Sequence, residues 1–300
     1  MNTFFQLTRR NLRMFFKDKG MFFSSLITPV ILLVLYATFL AKVYKDSFLS
    51  ALPDGLAIEE SLIDATVAGR LISSLLAVSC VTIAFCSNLL MIGDKASGAI
   101  RDLTVSPVKR STLAFSYFAA SAASTLIVTF TALALSLVYL SVQGWYLSFL
   151  DVVCVALDVL VLTLFGTALS SCIHFFLNTN GQASAVGTIV SAGYGFICGA
   201  YMPISNFGAG LQKVLSFLPG TYGTSLVRNH MLRGAFAQMA RVGFPEEVIS
   251  GIRASIDCDL SFFGHPVSIG AMYAVMIASV LLFAGIFVLF HVFARRKAIR

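Results

Sequence analysis

Five stretches of this chain contain no Asp, Glu, Lys or Arg: 20–41, 71–93, 111–150, 159–212 and 260–294. Each is long enough to cross a hydrocarbon layer of about 30 Å, which takes roughly 20 apolar residues at 1.5 Å of rise per helical residue. An ordinary soluble domain, about a quarter charged, is excluded. Here 12% of residues are charged, 58% are hydrophobic and the mean hydropathy is +0.87. None of the stretches alternates with a period of two, so the expected fold class is an all-α polytopic membrane protein rather than a barrel.

The stretch 159–212 holds 54 residues and must turn back on itself. Its break is Asn178-Thr-Asn-Gly-Gln182, a cluster of turn formers after Phe175-Phe176. Six spans are therefore expected near 21–41, 71–92, 112–142, 152–177, 183–204 and 268–293, within a single transmembrane domain over 1–300. An even number puts both termini on one side of the membrane. That side takes 1–20, 93–111, 178–182 and 294–300, with 13 Lys and Arg in 51 residues; the other takes 42–70, 143–151 and 205–267, with 8 in 101. By the positive-inside rule the first side is cytoplasmic, and the +7 formal charge is mostly topology. The expected location is a cell membrane, the cytoplasmic membrane of a bacterium. The basic residues, among them Arg295, Arg296, Lys297 and Arg300, hug membrane boundaries and form no recognition motif, so nucleic acid is not an expected partner.

The basic N-terminus followed by an apolar run resembles a secretory signal only superficially. The run exceeds the usual ~7–15-residue signal core and leads into Leu40-Ala-Lys-Val43 without a small-x-small cleavage site. Residues 4–17 plot as a two-faced helix, with Phe4, Phe5, Thr8, Leu12, Phe15 and Phe16 on one arc and Arg9, Arg10, Arg13 and Lys17 opposite. Such a helix lies flat on the inner leaflet, against membrane lipids.

Catalytic signatures are missing. Gly93-x-x-x-x-Gly98 begins like a phosphate-binding loop, but Ala99-Ile100 stand where Lys and Ser or Thr are needed. There is no G-x-S-x-G elbow and no H-E-x-x-H. Five of six cysteines (Cys80, Cys86, Cys154, Cys172 and Cys198) fall in expected spans, and Cys258 is alone on the outer side, which implies no disulfide framework. The four histidines are dispersed, so no metal site is expected. Asp151 and Asp158 lie seven residues apart on one face of the fourth span. An ionised Asp in mid-helix costs about 2.5–3.5 kcal/mol on insertion scales, so Asp158 should face protein or water, either as a cation or proton site or as a hydrated residue of an outer vestibule.

Between the second and third spans stands the polar island Gly93-Asp-Lys-Ala-Ser-Gly-Ala-Ile-Arg-Asp-Leu-Thr-Val-Ser-Pro-Val-Lys-Arg-Ser111. Asp94 and Ser97 are helix starters, Ala99 to Leu103 can form a short helix with Ile100 and Leu103 on one side, and Ser106-Pro107 reads as an N-cap with proline at the first position of the next helix. Charges of both signs, Asp94, Lys95, Arg101, Asp102, Lys109 and Arg110, suit a protein partner better than an anionic lipid sheet.

Gly98, Ile100, Leu103, Ser106, Pro107, Val108 and Arg110 together resemble the first coupling loop of the membrane subunits of ATP-binding-cassette exporters of the second type. Asp94-Lys95 replace the acidic residue often found at the start of that loop. The likeness extends to the amphipathic segment 4–17, to Asn178–Gln182 as a second cytoplasmic contact, to Gly199-Ala-Tyr-Met-Pro203, and to Leu211–Phe236 broken at Leu218-Pro-Gly-Thr-Tyr222, similar to that family's pair of short re-entrant helices. The resemblance implies a non-catalytic permease that binds no cofactor itself, with ATP and magnesium held by separate ATPase subunits. These dock on Asp94, Lys95, Ser97, Gly98, Ile100, Arg101, Leu103, Ser106, Pro107 and Arg110, and on Asn178, Thr179 and Asn180. It also implies pairing with a second copy or a paralogous permease, and an amphipathic or hydrophobic cargo such as a drug, an antibiotic or a lipid-like molecule, with lipid-linked glycan export as a variant. Spans one, two and five would lie nearest the path, which makes Phe22, Phe23, Tyr36, Phe39 and Tyr194, with Asp158, candidate lining residues.

Ser191, Gly195 and Gly199 form a small-residue stripe on the fifth span that serves packing within or between subunits. Segment 205–267, nearly balanced in charge, is expected to be a small extracellular cap. A gradient-driven transporter or channel is the alternative function, and Asp158 alone speaks for it.

Overall fold

The computed structural model describes residues 3–50, 59–106 and 108–297. Pro107 and Arg300 lie outside the described residues. The fold is all-α, as the charge-free runs require. Helix α1 (Thr3–Lys17) is followed by α2 (Lys19–Leu35), whose N-cap Asp18 accepts the Met21 N–H at 3.0 Å. A π-helical turn at Tyr36–Leu40 passes the chain into α3 (Ala41–Ser50). Then come α4 (Glu60–Ser87), α5 (Leu89–Ala96), α6 (Ala99–Val105), α7 (Arg110–Gln143), α8 (Phe149–Phe175) and α9 (Asn180–Ile197). The remainder holds α10 (Ala209–Leu215), α11 (Pro219–Arg241), α12 (Glu246–Ser255), the two-residue strands β1 (Ser261–Phe262) and β2 (His265–Pro266) paired antiparallel, and α13 (Ile269–Lys297).

Among the described residues, five helical segments are long and apolar enough to cross a membrane: Lys19–Asp46, Glu60–Ala96, Arg110–Gln143, Phe149–Phe175 and Ile269–His291. The expected span 183–204 corresponds to α9, whose 18 residues begin with the polar Asn-Gly-Gln turn and stop at Ile197. The break before it forms a capping box: Thr179 Oγ1 accepts the Gln182 N–H at 3.3 Å, and Gln182 Oε1 accepts the Thr179 N–H at 3.3 Å. Asn180, Gly181 and Gln182 thus open a helix, and the turn itself is shorter than the sequence suggests.

Helix α4 is the axis of the bundle, packed on α2, α7, α8, α9 and α11. Most of its side chains are buried, and the largest core cluster is built around Leu71, Leu75, Leu76, Val78 and Val81. Lipid tails are as apolar as leucine, so helix association here draws on close packing and interhelical hydrogen bonds. A polar seam supplies these. Asn88 Nδ2 donates to Ser171 Oγ at 3.2 Å and also to Ser170, Ser121 donates to Asn88 Oδ1 at 2.8 Å, and Thr125 donates to Ser87 at 3.1 Å. It ties α4 to α7 and α8 with bonds of about 0.6–2 kcal/mol each.

The helix that carries the second span begins at Glu60, ahead of the expected span at 71; its first turns are held by Lys45 of α3, which reaches both Glu60 and Asp64 at 2.7 Å, and the Arg70 guanidinium lies 4.1 Å from the centre of the Tyr44 ring. Segment 205–267 is not merely a small cap. Its α11 runs for 23 residues with most of one long surface buried against α4, α8 and α13. The polarity that argued against burial is bonded internally: Asn229 Nδ2 donates to the Cys258 carbonyl at 2.6 Å, and Arg228 donates to the carbonyls of Ile256 and Gly199 and to Ser74. The pair of short helices is instead one short helix, α10, and one long one.

Candidate functional site

At one end of the bundle the island folds into two helices with a bend between them. Gly98, at φ +83°, is the N-cap of α6, a left-handed conformation that costs an L side chain about 1–2 kcal/mol. Neither Asp94 nor Ser97 caps α6; both belong to the preceding helical turns. Ser106 does not start the next helix either. It is the C-cap of α6, its hydroxyl donating to the Leu103 carbonyl at 2.7 Å, and α7 begins at Arg110 after an N-cap, Lys109, that offers no side-chain bond.

The island's first two charges turn inward, not toward a partner. Asp94 is 3% exposed and takes a forked pair from Arg10 of α1, at 2.5 and 3.1 Å, together with the Tyr117 hydroxyl of α7 at 2.5 Å. Bidentate guanidinium–carboxylate geometry of this kind is both strong and directional. The hydrogen bond and charge of Asp94 hold the Arg10 guanidinium above its ordinary range. Arg10 therefore leaves the cationic arc assigned to it. The face of α1 that packs on the bundle runs through Phe4, Leu7, Thr8, Asn11 and Phe15, while Phe5 and Phe16 of the proposed apolar arc remain exposed. Lys95 closes the end of α8: its Nζ donates to the carbonyls of His174, Phe175 and Leu177 at 3.2, 2.8 and 2.9 Å, groups that a helix end leaves without intrahelical partners.

Beyond these anchors α6 divides cleanly. Ile100 and Leu103 pack on Met91, Leu113, Tyr117 and Phe287, whereas Arg101 and Asp102 face out and Val105 is 87% exposed at the tip. Arg110, Asn178, Thr179 and Asn180 are exposed on the same end. The Lys95–Leu177 bond joins the two elements that the sequence treats as separate contacts.

A second feature is an open groove of about 550 Å³ between α2, α4 and α9, lined by Thr28, Ile31, Phe85, Ser184, Thr188 and Ser191 among others. The aromatic residues expected there lie elsewhere. Phe22 lines an apolar groove of about 570 Å³ against α7; Phe23 and Phe39 are more than half exposed; Tyr36 and Tyr194 are buried in the core. Of the small-residue stripe, Ser191 faces the groove, Gly195 is covered by the Tyr201 ring of its own chain, and Gly199 lies past the helix at φ +74°. The stripe is therefore not one surface, because α9 ends between its second and third members.

Asp158 is buried. It is 2% exposed, accepts from Tyr273 of α13, and meets His230 Nδ1 of α11 at 2.6 Å. It knits three helices. Asp151 caps α8 with Ser148 and pairs with Arg233. Cys258 is buried, and burial pushes its thiol up to about 12, outside the range of thiolate chemistry at neutral pH. Among the described residues no group of His, Cys, Asp and Glu could hold a metal ion.

Sequence reasoning misses Tyr117, His230 and Tyr273, each of which completes a contact from a distant helix. Arg10 could have been found, since it adjoins Asn11 on the face between Leu7 and Phe15. The family model described as ABC-2 type transporter matches residues 2–232. No curated protein matches the chain.

Proposed function

The chain belongs to the ABC-2 type transporter family, a multi-pass transmembrane subunit of an ABC transporter, and from that premise we propose that it is the path-forming half of an ATP-driven exporter. On this proposal separate ABC ATPase subunits pair with the chain and carry the ATP and magnesium. In this reading α6 fits a groove of the ATPase through Arg101, Asp102 and Val105, with Asn178–Asn180 as a second contact. Two permeases, identical or paralogous, face one another across the α2–α4–α9 groove. Cargo is an amphipathic or hydrophobic molecule, and the helical ends bearing α1 and α6 face the cytoplasm.

The observation that carries the reading is the mooring of α6. A short helix with an exposed apolar tip is held from behind by Arg10–Asp94–Tyr117 and by the Lys95 clamp. Force applied at Val105 reaches α1, α7 and α8 without passing through a flexible linker. ATP closure on the partner would thus tilt the bundle ends beside the groove.

The test is to purify the chain with its ATPase and delete 97–104. Loss of substrate-stimulated ATP hydrolysis, with both subunits present and folded, is expected; unchanged stimulation would count decisively against coupling at α6.

A further inference from the structure

Arg70 of α4 borders a cavity and, among the described residues, its side chain makes no hydrogen bond or ion pair. The cavity, of about 410 Å³, lies between α3, α4, residues 201–206 and α12 and is lined also by Tyr44, Thr66, Tyr201 and Asn206, with Ser255 on its exposed rim. The Arg70 guanidinium carbon lies 4.1 Å from the centre of the Tyr44 ring, a cation–π contact that leaves N–H donors for a planar or tetrahedral oxyanion. The nearby carboxylates among the described residues have closer partners. Asp64 and Glu60 hold Lys45, and Asp257 accepts the Ile204 N–H at 2.8 Å and lies 3.8 Å from Arg228. Arg228 in turn spends its donors on Ile256, Gly199 and Ser74. Among the described residues the Arg70 side chain thus has no hydrogen bond or ion pair of its own, and Asp257, whose charge it feels at longer range, also serves Arg228. An arginine in such a place without an anion is costly to keep, whereas a bound oxyanion would make hydrogen bonds at roughly twice the strength of neutral ones.

Depth fixes what kind of anion fits. Counting ~20 residues of hydrocarbon from Ile92, at the α6 end of the second span, the apolar layer is left near residue 72. Arg70 then stands at headgroup level on the opposite face, and the cavity walls beside it (Val67, Phe48 and Met202) are apolar. The volume falls within the ~300–1,000 Å³ of small-molecule pockets.

We infer that this cavity binds the anionic head of an amphiphile, a phosphate or carboxylate on an apolar body, with Arg70 as its counter-ion and Tyr44 orienting the guanidinium. Whether the amphiphile is cargo rests on the exporter reading; the site does not.

The full chain in neutral detergent would be titrated with radiolabelled lysophosphatidic acid, with lysophosphatidylcholine and inorganic phosphate as competitors. Saturable binding of the anionic lysolipid is expected, with the zwitterionic lipid and free phosphate each at least about tenfold weaker, a difference near 1.4 kcal/mol. Arg70→Gln should weaken binding by about tenfold or more, and Arg70→Lys should recover part of it. Because Arg70→Gln could disturb α4, Ser255→Trp on the exposed rim offers a second route: it should block binding while the melting temperature holds. Equal binding by a folded Arg70→Gln or Ser255→Trp protein, or equal binding of the zwitterionic lipid or of free phosphate, would overturn the inference. In vesicles with the ATPase present, ATP-driven movement of the bound lysolipid marks cargo and static occupancy marks a resident lipid. Both outcomes support the site, and failure of ATP coupling with binding intact would count against the exporter reading alone.

Discussion

Arg10 and Asp94 sit 84 positions apart, yet they decide how the N-terminal helix is attached. Their burial is unequal: the Arg10 side chain is 30% exposed and that of Asp94 is 4% exposed. Removing Arg10 strands a carboxylate inside protein, while removing the charge of Asp94 lets the guanidinium return to water. Arg10→Gln is therefore expected to cost roughly 2–3 kcal/mol, toward the low end for a broken buried pair, and Asp94→Asn distinctly less. Thermal melts of the purified chain would show the order, and equal losses would mean that Arg10 contributes little. Such pairing is the part of the site hardest to read from sequence. Charges on an island look like a solvated, partner-facing surface, and nothing local to 93–111 says that Asp94 meets α1 or that Lys95 meets the end of α8. Val105 at the tip was legible only as part of a short helix.

At the scale of elements, the short helix α6 was legible, but the bend before it and its punctuation were not. Ser106-Pro107 carried an N-cap signature, and Ser106 turned out to close a helix. Gly98 looked like half a phosphate loop and is a left-handed hinge. A Cβ added there meets nothing within 4 Å, so substitution tests backbone conformation alone. Gly98→Ala is expected to lose about 1–2 kcal/mol locally and to lower ATPase coupling, and Gly98→Asn, which tolerates the left-handed region better, to lose less. The melting temperature of the bundle should stay unchanged in both. Equal coupling in wild type and Gly98→Ala would show that the bend angle does not matter. Five helices long and apolar enough to cross a membrane were readable, because lipid leaves no choice about charge-free runs of this length. Helix α11 was not, because Arg228, Asn229 and His230 argue for water until partners on α4, α8 and the 256–258 turn are supplied.

For the whole molecule, a buried α4 is surrounded by helices whose exposed surfaces are apolar, and one end carries an outward helix on an inward anchor. The lining of the groove beside α2, α4 and α9 was not legible: Ser184, Thr188 and Ser191 stand there with Ile31 and Phe85, while Tyr36 and Tyr194 pack into the core and Phe23 and Phe39 are exposed. Every part of the transport account depends on the ATPase engaging the α6 end. Site-specific photo-crosslinking addresses this directly, using Val105→Cys at the α6 tip and Val142→Cys, 80% exposed at the opposite end of α7, each carrying a photoreactive maleimide in the assembled complex. A covalent permease–ATPase adduct is expected from position 105 and none from position 142. An adduct from 142 alone, or from neither position in an intact complex, would contradict the account.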